Sequence, residues 1–252
     1  MESQVHFYSQ RGLNRDTIKY LAMFTMFLNH VANIFLQPGT ILFEVFADIG
    51  YFTAVTMCYF LVEGYQYTRS KKKYALRLLL FALISQLPYS LAFSTKHTLE
   101  FSGMNMIFTL FLCFLILIAR EYILNPWLQS GAIFILVLLS CFSDWAVFAP
   151  IFTILFAMCQ GSKRKLSAAY GIAFLLFALM NFISLRNFYP PLPSILMALS
   201  SGLGILASEI VIIGFYNGKR MERGRTFSKW FFYLFYPVHL LILGIIRLSI
   251  LK

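Results

Sequence analysis

A short set of polar side chains interrupts otherwise apolar stretches of this sequence: Asn29, His30, Asn33, Glu63, Gln86, Asn105, Asp144, Asn181, Glu209 and His239. Each costs several kcal/mol in hydrocarbon unless it is paired or hydrated, so each calls for a role. An imidazole titrates near neutrality and can take a proton from an amine or hydroxyl nucleophile, which makes His30 a candidate base. Asn33 follows at i+3 on the same helix face and can orient that ring. The alternative for His30 is a hydrogen bond to a neighbouring helix. His239 lies in FFYLFYPVHLLIL two residues after Pro237. The proline removes a backbone donor and kinks the helix or frees a carbonyl. Such a break beside a polar group can line a cavity, or the imidazole can simply satisfy the freed carbonyl. Asn105 and Asp144 are either helix caps or hydrogen-bond donors and acceptors at a site. Glu63 and Glu209 lie near Arg69, Arg77 and Lys219 and suit structural ion pairs.

The elements that must hold these groups are membrane helices. Of 252 residues 60% are hydrophobic and 12% charged, and the mean hydropathy is +0.74. A soluble domain could not cover its surface with so little charge. The expected fold is all-α, a polytopic integral membrane bundle with about nine transmembrane helices in one domain, 1–252. The expected spans are 17–37, 49–67, 75–94, 105–123, 127–142, 144–160, 166–185, 192–214 and 229–250, with an interfacial turn at 41–48. The fifth and sixth are short enough to be a tight hairpin or half-spanning helices. His30 falls about 20 Å along the first span at 1.5 Å per residue, in the outer third of the bilayer.

Charge placement gives the orientation. With the N-terminus cytoplasmic, the inner segments collect Arg11, Arg15 and Lys19; Arg69, Lys71, Lys72, Lys73 and Arg77; Arg120; Lys163, Arg164 and Lys165; and Lys219, Arg220, Arg223, Arg225 and Lys229. The outer segments hold Lys96, Arg186, Arg247 and Lys252. This asymmetry predicts a cytoplasmic N-terminus and an extracytoplasmic C-terminus. The net charge of +11 therefore marks topology and lipid attraction, and nucleic acid is not an expected partner. The segment after Lys19 reads as a retained first span, not a cleaved leader. Cys58, Cys113, Cys141 and Cys159 have no metal-ligand spacing and read as small buried apolar residues; no metal is expected. Gly202-Leu203-Gly204 reads as close helix packing. Nucleotide, dinucleotide, zinc-helix and serine-elbow motifs do not occur.

Several segments resemble the TraX family. They are DTIKYLAMFTMFLNHVANIF, LVEGYQYTRSKKKYALRLLLFALISQLPYSLAF, MNMIFTLFL, EIVIIGFYNGKR and FFYLFYPVHLLIL. The likeness runs from about Leu13 to Leu243, and its motifs at 61–93 and 210–243 are specific. It implies a multi-pass protein of the bacterial cytoplasmic membrane that acetylates a pilin N-terminus from acetyl-CoA. The family is similar to the wider acyltransferase-3 group, in which a first-span histidine is the catalytic base; His30 occupies that place, and His239 matches the histidine of the FYPxH motif. Arg69 and Arg77 fall in the matched basic connection. Three positions depart from the pattern: Asn29 stands where an Asp precedes the histidine, Tyr51 where an Arg follows Gly50, and Gln86 where a Glu follows Ser85.

The expected chemistry is transfer of acetyl from cytosolic acetyl-CoA to an extracytoplasmic or membrane-bound acceptor, a peptide, pilin or glycan in or at the lipid bilayer. CoA phosphates would meet Arg69, Lys71, Lys72, Lys73, Arg77, Lys219 or Arg220. His30 would take the acceptor's proton, and Asn33, Asn105 or His239 would hydrogen-bond the oxyanion. The competing classes are a small-molecule or proton-coupled transporter, since intramembrane His and acidic groups also relay protons, and a non-catalytic scaffold.

Overall fold

The computed structural model describes residues 12–94 and 101–250. Arg11, Lys96 and Lys252, which enter the charge pattern above, lie outside the described residues. The described chain is helical: α1 Arg15–Phe35, α2 Ile41–Tyr67, α3 Lys71–Phe93, α4 Met106–Tyr122, α5 Pro126–Ser140, α6 Phe148–Met158, α7 Lys163–Leu185, α8 Pro191–Glu209 and α9 Arg225–Ile250. A π-helical turn, Ile210–Phe215, continues α8.

Most helices start where a side-chain cap stands. Asn14, Ser70, Asn105, Asn125 and Ser162 each accept a backbone N–H from the first turn of the helix they precede, which satisfies donors that the helix itself cannot. Ser70 and Ser162 explain why α3 and α7 begin with their lysine clusters, earlier than the apolar pattern alone indicates. The interfacial turn expected at 41–48 is instead the opening of α2. Thr40 Oγ1 accepts from Phe43 N–H at 3.4 Å, and Glu44 accepts from Gly39 N–H at 3.2 Å. These two contacts support helix from Ile41 onward.

Among the described residues, five helices are long and apolar enough to cross a membrane: α2, α3, α7, α8 with its π-helical turn, and α9. They mark a multi-pass membrane protein. Helices α5 and α6 have 15 and 11 residues, short of the ~20 that a crossing helix needs. On α3, Leu76, Leu80, Leu83 and Leu87 are all exposed and form one stripe at helical spacing, a surface suited to acyl chains and not to water.

The contacts gather into two compact units. The first comprises residues 1–57 and 159–230, and contains α1, the opening of α2, α7, α8 and the start of α9. Here α7 packs along α8, and α8 meets α2 at Gly204. A Cβ there would stand 2.6 Å from the Asp48 carbonyl oxygen and 2.8 Å from Phe52 N, so the glycine permits a backbone-to-backbone approach, as its sequence context indicates. Residues after the π-helical turn pair with the start of α1. Leu13 N–H donates to the Phe215 carbonyl at 2.8 Å, and Asn217 N–H to the Leu13 carbonyl at 3.0 Å. Met221 N–H donates to the Asp16 carboxylate at 2.8 Å.

The second unit comprises residues 58–158 and 231–252. Helix α4 is central, packed on α3, α5 and α6. Two sequence expectations change here. Asp144 does not cap a helix, because α6 begins only at Phe148. Its N–H donates instead to the Met104 carbonyl at 2.8 Å. Of the cysteines, Cys58 and Cys113 are buried, but Cys141 is exposed and Cys159 intermediate. In the first unit Glu209 accepts from the Ser167 hydroxyl at 2.5 Å, not from a cation.

Candidate functional site

Among the described residues, each unit buries one histidine. In the first, α1 carries His30, 6% exposed, on the turn where α1 approaches α2. Asn29 sets that approach: its amide donates to the Ala47 carbonyl at 3.0 Å. Opposite stands Gly50, where a Cβ would come within 2.2 Å of the Asn29 Cβ. An aspartate at 29 could not donate to that carbonyl. Asn33 is exposed, and its amide donates back to the Asn29 carbonyl at 2.8 Å and to Asn29 Oδ1 at 3.2 Å. Its i+4 spacing to Asn29 therefore decides its partner. Tyr51 stacks edge-on against Phe177 with ring centroids 4.9 Å apart.

In the second unit α9 carries His239, 5% exposed. Its Nδ1 lies 2.7 Å from the Phe235 carbonyl oxygen. A carbonyl oxygen only accepts, so Nδ1 holds the proton, and the neutral ring presents Nε2 as a lone-pair acceptor. That tautomer suits proton uptake; it does not suit donation to an oxyanion from the neutral ring. The carbonyl that Pro237 leaves without its helical donor is that of Tyr233, so the ring does not serve the kink in the way the sequence suggests. Phe235 stacks on the imidazole at 4.7 Å, and Tyr236 meets it edge-on at 5.8 Å.

Asn105 is fully buried. Its Nδ2 donates to the Ala82 carbonyl at 2.7 Å and to Gln86 Oε1 at 2.9 Å, and its Oδ1 accepts from Ile107 N–H at 3.1 Å and Phe108 N–H at 3.3 Å. Both amide protons and both lone pairs are thus committed, and the side chain acts as the cap of α4. Gln86 completes this lock: its amide donates to the Gly103 carbonyl at 2.8 Å, which a glutamate could not do. Tyr236 also belongs here, its hydroxyl accepting Met106 N–H at 3.3 Å. Sequence reasoning missed Tyr236, although its i, i+3 spacing to His239 was the available signal.

The basic side chains divide by environment. Arg69, Lys72 and Lys73 at the start of α3, and Lys219 and Arg220 after the π-helical turn, are exposed. Lys71 is engaged: it bonds the Glu121 carboxylate, which Tyr65 also bonds, and lies 4.4 Å from the Tyr65 ring centroid and 5.3 Å from that of Tyr122. Arg77 flanks the Tyr74 ring at 5.5 Å. Its Nε is buried without a hydrogen-bond partner among the described residues.

The model of the TraX protein family matches residues 14–247 of this chain. A probable fimbrial assembly protein, FimC of serogroup H1, from Dichelobacter nodosus, is 33% identical over 234 residues, covering 90% of this chain and 92% of that protein. No solved structure matches. With nearly the whole chain covered in both comparisons, the chain belongs to the TraX family.

Proposed function

We propose that this protein is a membrane-embedded acetyltransferase that moves acetyl from cytosolic acetyl-CoA to an extracytoplasmic or membrane-bound acceptor, and that it serves pilin or fimbrial assembly. Membership of the TraX family and the likeness to a fimbrial assembly protein support the biological setting. The observation that carries the chemistry is the His239 imidazole, buried and anchored through Nδ1–H on the Phe235 carbonyl. Neutral Nε2 is then a base that needs no rearrangement to take a proton from an amine or hydroxyl. The nucleophile attacks the thioester carbonyl, a C–N or C–O bond forms, the C–S bond breaks, and CoA leaves as its thiolate. His30, buried on α1, is the second imidazole available for proton transfer and the one the family resemblance favours.

The donor's phosphates are assigned to Arg69, Lys72 and Lys73 of the second unit, because these cations are exposed. The unpartnered Arg77 Nε adds a buried donor for a polar group of the carrier. Lys71 contributes less while Glu121 holds it.

The test is acetyl transfer from labelled acetyl-CoA by the purified protein in lipid nanodiscs, comparing wild type with His239→Ala and His30→Ala. Loss of a general base lowers the rate by about 10²–10⁴-fold, and that is the expected result for His239→Ala. A His30→Ala protein at the normal rate removes His30 from proton transfer. Both variants at the normal rate would end the enzymatic interpretation.

A further inference from the structure

One buried hydroxyl is explained neither by packing nor by the proposed transfer chemistry. A serine within an apolar helix can bond back to a carbonyl three or four residues earlier, and Ser140, Ser194, Ser200, Ser201 and Ser249 all do so at 2.6–2.9 Å. Ser85 on α3 does not. It is fully buried, and its Oγ has no hydrogen-bond partner among the described residues. A buried hydroxyl in that state carries a cost.

Its surroundings follow from how α3 packs on α9, within the second unit. The Phe81 ring stacks on the Tyr233 ring with centroids 4.6 Å apart. Eleven residues further along each helix the contact recurs: a Cβ on Gly244 would stand 3.2 Å from Ala92 N. Eleven residues make about three helical turns, so the two helices run parallel and in step, with 81 beside 233 and 92 beside 244. Ser85 and Pro237 each follow the stacked pair by four residues, on the facing sides. Pro237 denies the Tyr233 carbonyl its helical donor. Pro88, also buried and on the α9-facing side of α3, does the same to the Ile84 carbonyl. A hydroxyl able to donate and two carbonyls that only accept thus lie within about one turn of each other along this seam.

A secondary amide answers both needs. Its C=O accepts from the Ser85 hydroxyl, and its N–H donates to a carbonyl that proline has freed. The pantetheine arm of CoA carries two such amides in series, and the approach to Ser85 suits it. Helix α3 opens with the exposed Lys72 and Lys73 just after Arg69, the cations assigned to the donor's phosphates. Arg77, whose Nε is buried without a hydrogen-bond partner among the described residues, follows on the same face, about 12 Å before Ser85 at 1.5 Å per residue. His239 comes two residues after Pro237, about 3 Å further along the seam. Phosphates, arm and thioester therefore meet α3 and α9 in the order in which the donor carries them. We infer that Ser85 and the Tyr233 carbonyl form the subsite for an amide of the donor's pantetheine arm and set the thioester at the level of His239. The inference rests on the acetyl-CoA reading.

Binding to the full-length protein in nanodiscs, followed by calorimetry, tests it. The probes are CoA, adenosine 3′,5′-bisphosphate, which lacks the arm, and the tripeptide amide Ala-Phe-Leu. Ser85→Ala is expected to weaken CoA about two- to tenfold, the worth of one hydrogen bond, and to leave the bisphosphate unchanged. Its unfolding midpoint without ligand should match or exceed that of wild type, because the hydroxyl it removes has no partner in the chain. Pro237→Ala returns an N–H to the Tyr233 carbonyl and should weaken CoA with the same selectivity; it decides should Ser85→Ala fail to fold. CoA bound as tightly by Ser85→Ala as by wild type overturns the inference and leaves the acetyltransferase reading standing; a lowered midpoint in that case makes the hydroxyl's partner a structural water. A loss confined to the peptide also overturns it, by assigning the amide to the acceptor. Wild type that binds no CoA sinks the reading and the inference together. Selective loss of CoA in a protein that transfers no acetyl keeps the inference and sinks the proposed reaction.

Discussion

Replacing Asn105 by alanine separates a structural from a catalytic role for a buried side chain whose hydrogen-bonding capacity is fully committed. The substitution removes both acceptor contacts to the first turn of α4. Phe108 N–H keeps the Asn105 carbonyl at 3.0 Å, and Gln86 Oε1 keeps Asn105 N–H at 3.2 Å. Ile107 N–H keeps nothing, and it is buried. Loss of the cap costs about 1 kcal/mol, and a buried donor left unsatisfied costs about 1–3 kcal/mol more, for a sum of roughly 2–4 kcal/mol. At about 2–4 °C per kcal/mol for a chain of this size, the unfolding midpoint falls by roughly 4–16 °C. Asn125 supplies the internal control. It caps α5 with nearly the same geometry, accepting Trp127 N–H at 3.0 Å and Leu128 N–H at 3.3 Å, but it is exposed. Its donors can turn to water or headgroups, so Asn125→Ala should lose only about 1 kcal/mol. Thermal unfolding of both variants in the same detergent measures the contrast. Equal losses would refute the claim that burial of the orphaned donor sets the cost. An Asn105→Ala protein of full stability and no transferase activity would return Asn105 to the reacting groups.

Gly204→Ala drives a methyl group into the backbone of α2, at 2.6 Å from the Asp48 oxygen. We expect a loss of about 1–3 kcal/mol from overpacking, whereas Gly171→Ala, with nothing within 4 Å of its Cβ, should be neutral or stabilising by up to about 1 kcal/mol; equal midpoints would contradict the close approach. Glu121→Gln frees Lys71 from its carboxylate partner. Stability should change by less than about 1 kcal/mol, as for exposed ion pairs, and CoA should bind about two- to fivefold more tightly as the ammonium becomes available, read from the midpoint shift with CoA. Weaker CoA binding in this variant would place Glu121 itself among the groups that hold the donor.

The helical framework was legible because its signals are local. An apolar run announces each helix, and a capping Asn stands close before it at Asn105 and Asn125, whereas the caps Ser70 and Ser162 precede lysine clusters and start α3 and α7 ahead of the expected positions 75 and 166. The opening of α2 lies ahead of the expected second span at 49–67, and the contacts that support helix there come from Thr40 and from Glu44. The π-helical turn at Ile210–Phe215 carries no compositional mark. The histidines were legible as polar groups in apolar surroundings, but not their tautomers. The Nδ1 contact of His239 follows from where the Phe235 carbonyl falls on α9.

The positions at which the family resemblance leads one to expect charge hold contacts that suit an amide. At 29 and at 86 the amide nitrogen donates to a backbone carbonyl: Asn29 to Ala47 at 3.0 Å, Gln86 to Gly103 at 2.8 Å. A carboxylate in either position would set two acceptors against each other in a poorly solvated setting and would need a cation to offset it. Tyr51 offers none; its ring packs on Phe177. The amide at 29 and the tyrosine at 51 are therefore mutually consistent within the first unit. The amide at 86 is consistent with the fully committed Asn105 in the second. Neutralisation at these positions builds hydrogen-bonded locks at helix contacts and leaves both imidazoles in place, so the absence of those charges is not by itself evidence of a lost activity.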